Sequence, residues 1–326
     1  MAQGQLDTES VVPTAAGDEE DDILASLPTR EGWWTTFVLY HGCWMTQQAA
    51  TSVSLVRAQF APRPHDLKAL SFTVANRSRH PVGAGAGDHP LLTQSPHDLV
   101  PFIEVPFRHL HPLSALDALP SPRLLSPRIC HPSCFPGASP SLAATSSTSS
   151  KDVVVSIWHY MNKSLSPYRP INKVGNGFFL DLDRTFELFI DGFSLNGPIW
   201  EHCLGYWKKS IQEPDTVLFL KYDDMMADPA GHVKKLAEFL RVPFTDDEVG
   251  AGVVKEVVRL CSFEKLSHLP VNSSGVVDRI SGRPMENSMF FRKGKVGDWK
   301  NYLTEEMANK MDAVIEEKLK ESGLTF

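Results

Sequence analysis

Cysteine is scarce in this sequence, and its scarcity bears on where the protein works. The 326 residues include five cysteines, and an odd, small number in a long chain argues against a disulfide framework. This fits a reducing compartment, so we expect a cytoplasmic protein. Cys130 and Cys134 lie close to His131, but no second cysteine pair stands at metal-binding spacing. We therefore expect no metal.

An excess of positive charge and a long apolar run are also missing. Lys and Arg number 32 against 39 Asp and Glu, giving a net charge of -7, so no global basic field attracts nucleic acid or an anionic membrane. The apolar region Phe37–Ala50 is interrupted by His41 and Gln47 and falls short of the ~18 residues of a membrane span. The N-terminus lacks the succession typical of a signal peptide. We expect neither nucleic acid nor membrane as a partner, and any anion must bind at a local site.

The chain is long enough for one large α/β domain, and its texture changes along its length. Residues 1–22 are acidic and poor in apolar side chains, which predicts a disordered tail. We interpret residues 23–326 as a single domain. Within it, residues 127–150 are rich in Pro, Ser, Ala and Thr and are predicted to be irregular. An ordinary globular pattern begins abruptly after Lys151.

Strands and helices are predicted in alternation. Thr216–Tyr222 is a short apolar run between polar residues, which indicates a buried parallel strand. Asp228 then caps a helix in which Pro229 takes the first position, and Thr304 caps the last helix. Nearer the N-terminus, good helix formers predict a helix in the run Met45–Ala58. The alternation indicates an α/β fold.

The strongest chemical signal is the segment Phe290–Trp299. Arg292 offers a planar fork of donors and Lys293 a point charge, and both suit a phosphate. Gly294 and Gly297 allow close approach of the backbone and offer N–H groups to an anion. A solvated basic turn is the alternative reading, but the aromatic residues that flank the segment are unusual for such a turn.

The segment from Arg292 onward, Arg-Lys-Gly-x-x-Gly-Asp-Trp-Lys-Asn, closely resembles the signature of cytosolic sulfotransferases of the plant-like branch. The resemblance covers nearly everything from Lys151 to Phe326 and, more loosely, the stretch from Trp33 to Pro122. It implies a single-domain α/β fold, a three-layer sandwich around a parallel sheet with a P-loop-like phosphate site. It also implies 3′-phosphoadenylyl sulfate as donor and a small hydroxyl or amine compound as acceptor. The segments that carry it further are Val217–Met225, Cys261–Glu264 and Lys151–Tyr160. In the last of these the valines at 153–155 favour a strand by β-branching, but the resemblance implies a helix that begins near Asp152, and we expect Asp152 to cap it.

The resemblance also implies which residues bind the donor. Arg292, Lys293 and Gly294 would hold the 3′-phosphate together with Ser156. Tyr222 and the stretch of Cys261, Ser262 and Phe263 would line the adenine and ribose pocket. Taken alone, Ser156 is equally well explained as a polar residue on a helix face and Tyr222 as a core tyrosine at a strand end. Their joint occurrence with the basic segment favours a site.

The family's phosphate-binding strand and its loop, Pro-Lys-Ser-Gly-Thr-Thr-Trp, have no counterpart here. Asp66 runs directly into Leu67, which leaves the chain roughly a dozen residues too short for a strand–loop–helix unit. The family places the stretch that matches Leu67–Leu70 on the helix after that loop. The lysine that would neutralise the leaving phosphate, the backbone cradle and the adenine-stacking tryptophan are therefore missing.

The family's catalytic histidine is missing as well. After the stretch matching Leu124–Ser126, the family continues Thr-His-Leu-Pro, and that histidine is the general base that deprotonates the acceptor. This sequence has Pro127 and Arg128 instead. His131 lies three positions after the place where the family has its histidine. A general base must stand within hydrogen-bond reach of the proton that it removes, and we do not expect His131 to do so. We therefore assign no catalytic residue.

A shifted reading frame would account for residues 127–150. Codons that encode Pro127 to Gly137 can, in a shifted frame, also encode Thr-His-Leu-Pro-Ser-Phe-Leu-Leu-Pro-Gly. The Ser-rich tract that follows can encode Arg-Cys-Asp-Ile-Val-Tyr-Leu-Val, which is similar to the next strand of the family. Our hypothesis is that this segment is a frame-shifted reading of a sulfotransferase exon.

Two functional interpretations follow from these residues. The first is a sulfotransferase-family enzyme that transfers a sulfuryl group to a hydroxyl of a small-molecule acceptor. The alternative is a non-catalytic binder of 3′-phosphoadenosine nucleotides, either a remnant or the product of a faulty gene model. Two strands of the family are missing: the one before the phosphate loop and the one that the segment 127–150 replaces. Both belong to the middle of the family's parallel sheet, so we expect this chain to have lost central strands and to be marginally stable. The aromatic residues near the N-terminus are read as core in preference to an acceptor pocket: Trp33, Trp34, Tyr40, His41 and Trp44.

Overall fold

The computed structural model describes residues 25–61, 63, 67–68, 89–104, 112–119, 123–126, 149–165, 179–277 and 285–325. Several expectations lie outside these residues. They include the tail at 1–22, the metal reading of Cys130, His131 and Cys134, and all but the last two residues of 127–150.

The chain enters the fold through an antiparallel sheet and a helix. Strands β1 (Thr29–Arg30), β2 (Phe37–Tyr40) and β3 (Cys43–Thr46) pair in that order. Helix α1 (Gln47–Gln59) follows, and the Thr46 hydroxyl accepts from the Ala49 backbone N–H at 3.3 Å. The predicted helix is confirmed, but it begins two residues late because Met45 pairs with Val38 in the sheet.

The core prediction for the N-terminal aromatic residues is confirmed for Trp33, with Trp34 and Trp44 packed half-buried against the same cluster, but it is wrong for His41, which is exposed. Trp33 is buried and donates its indole N–H to the Phe193 carbonyl at 3.0 Å. Phe37 and Trp44 both meet the Phe193 ring edge-on, with centroids 5.5 and 5.0 Å apart. Burial of aromatic rings of this size contributes strongly to stability.

Among the described residues, parallel pairing is confined to one short two-stranded sheet and the bridge beside it. Strand β4 (Leu67–Lys68) pairs with β5 (Leu124–Leu125), and a parallel bridge joins Phe102 to Ser126. Between the two strands lie a 3₁₀ turn and helices α2 (Pro96–Leu99) and α3 (Ser114–Asp117). The helix predicted for Leu67–Leu70 is therefore wrong at its first two residues, because their backbone is engaged with β5.

A buried arginine holds this region together. The Arg123 guanidinium donates to the Ala61 carbonyl at 2.8 Å and to Asp117 at 3.0 Å, and it lies 5.0 Å from the centre of the Phe60 ring. Its side chain is fully buried. A buried charge requires such partners, so Arg123 ties the end of α1 to α3.

The second half of the chain is mainly helical. Helix α4 (Ser150–Leu165) contains the valines that resemble a strand by composition. Val154 and Val155 are buried in one cluster with Phe186 and Met311, so tertiary packing overrides their β preference. The helix placement implied by the family resemblance is confirmed. The expectation that Asp152 caps this helix is wrong, because Asp152 lies inside its first turn.

The remaining elements complete the helical layer and carry two predicted caps. Asp228 accepts from the Gly231 N–H with Pro229 at the first helical position, and Thr304 accepts from the Met307 N–H, so both caps are confirmed. The elements are α5 (Leu182–Ile190), α6 (Ile199–Gln212), α7 (Tyr222–Ala227), α8 (Pro229–Phe239), α9 (Asp246–Gly250), α10 (Val253–Leu260), α11 (Phe263–His268), α12 (Pro270–Ser273), β6 (Val276–Val277), β7 (Met285–Glu286) and α13 (Glu305–Leu319).

The strand predicted over Thr216–Tyr222 is wrong. Residues 217–221 carry no strand, although Val217 and Leu220 are buried, and Tyr222 is the first residue of α7. A strand requires a hydrogen-bonded neighbour, and none of the residues in the described ranges pairs with this segment. The apolar run is buried without a ladder, which fits a sheet that has lost its centre.

The reduced sheet leads to a prediction about stability. We expect the recombinant chain to melt broadly and below about 45 °C, because central strands normally bury apolar area on both faces. Large apolar side chains such as Phe179, Ile211 and Val276 are already more than half exposed. Circular dichroism melting and binding of a hydrophobic dye measure this. A sharp, cooperative transition at high temperature would contradict the prediction.

Candidate functional site

One face of α4 looks onto the C-terminal segment. Asp152, Ser156, His159 and Lys163 recur at helical spacing and so share that face. At its far end the Lys163 ammonium donates to the Ser288 hydroxyl at 3.0 Å. Asp152 and Lys163 therefore contact the C-terminal part of the chain directly, and Ser156 and His159 lie between them on the same helix face.

Asp152 attaches this helix to the basic segment. Its carboxylate is buried and accepts from the backbone N–H of Gly297 at 2.7 Å and of Trp299 at 2.9 Å. Gly297 has φ +87°, the left-handed region that favours glycine. The two bonds set the position of the loop 292–299 relative to the first turn of α4.

Lys151 strengthens the same junction. Its ammonium bonds to Asp312 on α13 at 2.6 Å and lies 4.6 Å from the centre of the Trp299 ring. A cation over a tryptophan face is attracted by the ring electrons. The start of α4 is thus joined both to the basic loop and to the last helix.

Arg292 is held by a partner inside the loop. Its guanidinium donates to the Asp298 carboxylate, which also accepts from the Asn301 amide at 2.9 Å. The hydrogen bond from Arg292 holds the pKa of Asp298 below its usual range. Within the described part of the chain, the other N–H groups of Arg292 make no hydrogen bond. They can face an anion while the guanidinium stays oriented. Lys293, the next residue, is exposed.

Gly294 brings the loop against the stretch Cys261–Phe263. It has φ +61°, and a Cβ atom there would lie 2.4 Å from the Phe263 ring. Phe263 also contacts Phe291, with ring centroids 6.0 Å apart. The absence of a side chain at Gly294 is therefore what allows the loop and this ring to touch.

The other members of the stretch differ in their surroundings. The Ser262 hydroxyl caps α11, accepting from the Lys265 N–H at 3.1 Å and donating to the Arg259 carbonyl at 2.8 Å. Cys261 is exposed. The Ser262 hydroxyl is thus engaged in local bonds.

Tyr222 and Ser156 lie near the Asp152 junction. Tyr222 is half-buried, and burial, followed by the charges of Asp223 and Asp152, raises the pKa of its phenol. Ser156 is exposed, one turn after Asp152, and its hydroxyl has no partner among the residues described. The structure thus brings Phe263 against Gly294 and Tyr222 close to Asp152, while Ser156 follows Asp152 on the same helix face.

Two residues of this region received no site role from the sequence. Asp152 was read as a helix cap, and its bonds to Gly297 and Trp299 span 145 and 147 positions, so no local pattern reveals them. His159 stands seven positions after Asp152, a spacing that places both on one helix face. That periodicity is the signal by which it could have been found.

Two kinds of feature are absent from the described ranges. No group of three or more His, Cys, Asp or Glu side chains among those residues could hold a metal ion. No described helix is both long and apolar enough to cross a membrane.

The fold and the basic loop are those of the sulfotransferase family. The sulfotransferase domain family matches residues 67–323, so this chain belongs to that family. The match begins at Leu67. The phosphate loop that this chain lacks would stand immediately before that residue.

Individual relatives place the chain among plant cytosolic sulfotransferases. It is 39% identical to cytosolic sulfotransferase 5 of Arabidopsis thaliana over 328 residues, covering 95% of this chain and 97% of the relative. Cytosolic sulfotransferase 6 of the same plant is 36% identical, with 95% of each chain covered. The expected α/β sulfotransferase fold is also found in solved structures.

A crystal structure of an Arabidopsis thaliana sulphotransferase matches with a TM-score of 0.65 at 28% identity, covering 97% of this chain and 100% of the other. A mouse sulfotransferase complexed with PAP matches with a TM-score of 0.61 at 20% identity, covering 88% and 95%. The second similarity concerns the fold alone.

Proposed function

We propose that this chain binds 3′-phosphoadenylyl sulfate in the cytoplasm and acts in sulfuryl transfer to a hydroxyl of a small molecule. One observation carries the proposal: the Asp152 carboxylate accepts from Gly297 and Trp299. Those bonds hold the loop 292–299 against the first turn of the helix that also carries Ser156, and the family resemblance assigns Ser156 and Arg292 to the donor. The relatives named cytosolic sulfotransferases support the compartment.

The residues around the loop suit a ribose phosphate. The fork of Arg292 and the charge of Lys293 would face the phosphate oxygens, with a hydroxyl from Ser156. Gly294 lets the backbone approach. Because two cations balance the phosphate charge, the site needs no metal in this proposal. Tyr222 and the stretch of Cys261, Ser262 and Phe263 would line the nucleoside side of the pocket, with the ring of Phe263 as its apolar wall.

The transfer itself exchanges one sulfur–oxygen bond for another. The acceptor oxygen attacks sulfur, the bond from sulfur to the bridging phosphate oxygen breaks, and a base takes the acceptor proton. Basic groups stabilise the charge that develops on the bridging oxygen. Arg292 and Lys293 would bind the far end of the donor and orient it, since orientation contributes strongly to catalysis.

A non-catalytic nucleotide binder is the second candidate, and specific residues favour it. Pro127 and Arg128 stand where the resemblance puts Thr-His, and Leu67 directly follows Asp66 without the lysine loop. The chain keeps the residues for one phosphate of the donor and lacks those that act on the sulfuryl group. Binding would then persist without turnover.

Calorimetry with adenosine 3′,5′-bisphosphate and a radiolabelled sulfate-transfer assay over hydroxylated acceptors separate the two candidates. Binding with turnover supports the enzyme, and binding without turnover supports the binder. As a control on the site, Arg292→Ala should weaken binding at least about tenfold, whereas Arg241→Ala, an exposed arginine outside the loop, should not. Absence of binding by the unmodified chain overturns both candidates.

We propose the same domain organisation as the sequence predicts: a disordered acidic tail over 1–22, then one sulfotransferase domain over 23–326.

The frame-shift hypothesis for the irregular segment 127–150 leads to a testable prediction. We expect the transcript across Ser126 to Lys151 to contain an insertion, deletion or altered splice junction that restores the Thr-His-Leu-Pro frame. Sequencing of the transcript measures this. An uninterrupted message in a well-expressed gene, encoding the residues as they stand, would count against the frame-shift hypothesis.

A further inference from the structure

His159 occupies a place in the candidate site that the proposed function does not use. It lies on α4 one turn after Ser156 and two turns after Asp152, on the face toward the C-terminal segment. The Tyr302 ring meets it edge-on with centroids 4.9 Å apart, and the Trp158 ring lies 4.4 Å away. The two aromatic neighbours restrict the orientation of the imidazole.

The Nε2 atom of His159 is buried and lacks a hydrogen-bond partner in the described part of the chain. Buried polar atoms are almost always hydrogen-bonded, so an unpaired one in a native fold requires a reason. An arriving ligand that accepts or donates a hydrogen bond would remove the cost of leaving this atom unpaired.

The charges that act on this imidazole come from the basic loop. Burial lowers the pKa of His159, and Arg292 and Lys293 lower it further, while Asp298 acts in the opposite direction. Without an anion in the loop, the ring is therefore neutral at neutral pH.

The other charged groups on the same helix face have partners of their own. Lys163, one turn later, donates to Ser288 at 3.0 Å. Asp152, two turns earlier, accepts from two backbone N–H groups of the loop. An anion between Arg292, Lys293 and the helix would consequently be the charge that changes most at His159.

We infer that His159 is a further binding residue for the ribose phosphate: when the anion binds, Nε2 takes a proton from solvent and donates it in a hydrogen bond to a phosphate oxygen. This inference rests on the proposed function. A phosphate dianion beside the ring favours the charged imidazolium, which reverses the effect of the two cations. Nucleotide binding should therefore consume protons and weaken as the pH rises, since the imidazolium makes a stronger, charge-assisted hydrogen bond to a phosphate dianion than the neutral ring does.

Calorimetry of adenosine 3′,5′-bisphosphate at about pH 7.5, in two buffers of different ionisation enthalpy, measures the protons exchanged. We expect uptake of a sizeable fraction of one proton, and an affinity that falls roughly three- to tenfold over two pH units. The phosphates of the nucleotide have a second pKa of about 6, and binding to cations favours their deprotonated form. They can therefore only release protons on binding, whereas His159 would take one up, so the two contributions have opposite signs.

The matched variants are His159→Gln and His232→Gln. Glutamine keeps an uncharged donor, so His159→Gln should bind several-fold more weakly and without proton uptake. His232, on α8 and bonded to the Asp228 carbonyl, lies outside the site, and its variant should behave as the unmodified chain. Nuclear magnetic resonance titration of the histidine ring protons, with and without nucleotide, gives the same readout without a substitution.

The outcomes separate this inference from the proposed function. Binding that depends on Arg292 but shows no proton uptake overturns the role of His159 alone. Equal uptake by His159→Gln and the unmodified chain overturns it as well. If the nucleotide does not bind at all, the proposed function fails, and this inference fails with it.

Discussion

Replacing Asp152 with alanine should abolish measurable binding of adenosine 3′,5′-bisphosphate and lower the free energy of unfolding by about 2–4 kcal/mol. The carboxylate accepts from Gly297 and Trp299 while buried at the base of α4. Its removal leaves two backbone N–H groups without their charged acceptor, and each such loss costs about 1–2 kcal/mol. The loop that carries Arg292 would then lose its attachment to the first turn of α4. Calorimetry and chemical denaturation measure both effects.

Two variants test whether the loss of binding and stability comes from the hydrogen bonds that Asp152 accepts from the loop. Asp152→Asn keeps one acceptor oxygen and should retain part of the affinity and stability. Asp215→Ala removes an exposed carboxylate that makes no described contact, and it should change neither. If Asp152→Ala binds the nucleotide as tightly as the unmodified chain, nucleotide binding does not depend on the hydrogen bonds between Asp152 and the loop. Those bonds would then no longer support the proposed function.

Gly294→Ala is expected to have the second large effect, lowering the free energy of unfolding by about 2–4 kcal/mol and weakening nucleotide binding more than tenfold. The added Cβ atom would stand 2.4 Å from the Phe263 ring, so the ring or the loop must move, and overpacking of this kind typically costs about 1–3 kcal/mol. The left-handed backbone at φ +61° adds a cost of roughly 1 kcal/mol. Thermal and denaturant unfolding of the variant measure the sum.

Gly297→Ala supplies the matched control. Gly297 also has a positive φ, +87°, but a Cβ atom there meets nothing within 4 Å. Its variant should therefore show the backbone cost alone, about 1 kcal/mol. Combining Gly294→Ala with Phe263→Ala should recover part of the stability lost through the clash. Equal losses at the two glycines would contradict the steric explanation.

Local signals in the sequence predicted the helical parts of the fold well. Asp228 and Thr304 act as caps because capping depends on a side chain and an N–H group three positions away. Trp33 forms core, as its size favours, whereas His41, which was read in the same way, is exposed. The helix over Lys151–Tyr160 was predicted by family resemblance against the β preference of its valines, since burial against Phe186 decides the conformation.

The failures arise where a distant partner decides the structure. Thr216–Tyr222 has the composition of a buried strand but lacks a neighbour to pair with in the described ranges. Leu67–Lys68 reads as the start of a helix in the family, yet its backbone pairs with Leu124–Leu125. Asp152 has the residue type of a cap, and its true partners lie almost half the chain away. The donor-binding roles of Ser156 and its companions remain predictions that the binding experiments test.

The short pairing of β4 with β5 has a consequence for any form of the protein that carries the family's phosphate loop. Leu67 and Lys68 occupy backbone hydrogen-bonding positions beside Leu124 and Leu125, and a full-length neighbouring strand requires those same groups. Inserting the absent residues before Leu67 therefore forces these two residues to leave the ladder. The longer and shorter forms would consequently pair Leu124 and Leu125 with different stretches of backbone, and hydrogen exchange at those two amides would tell the forms apart.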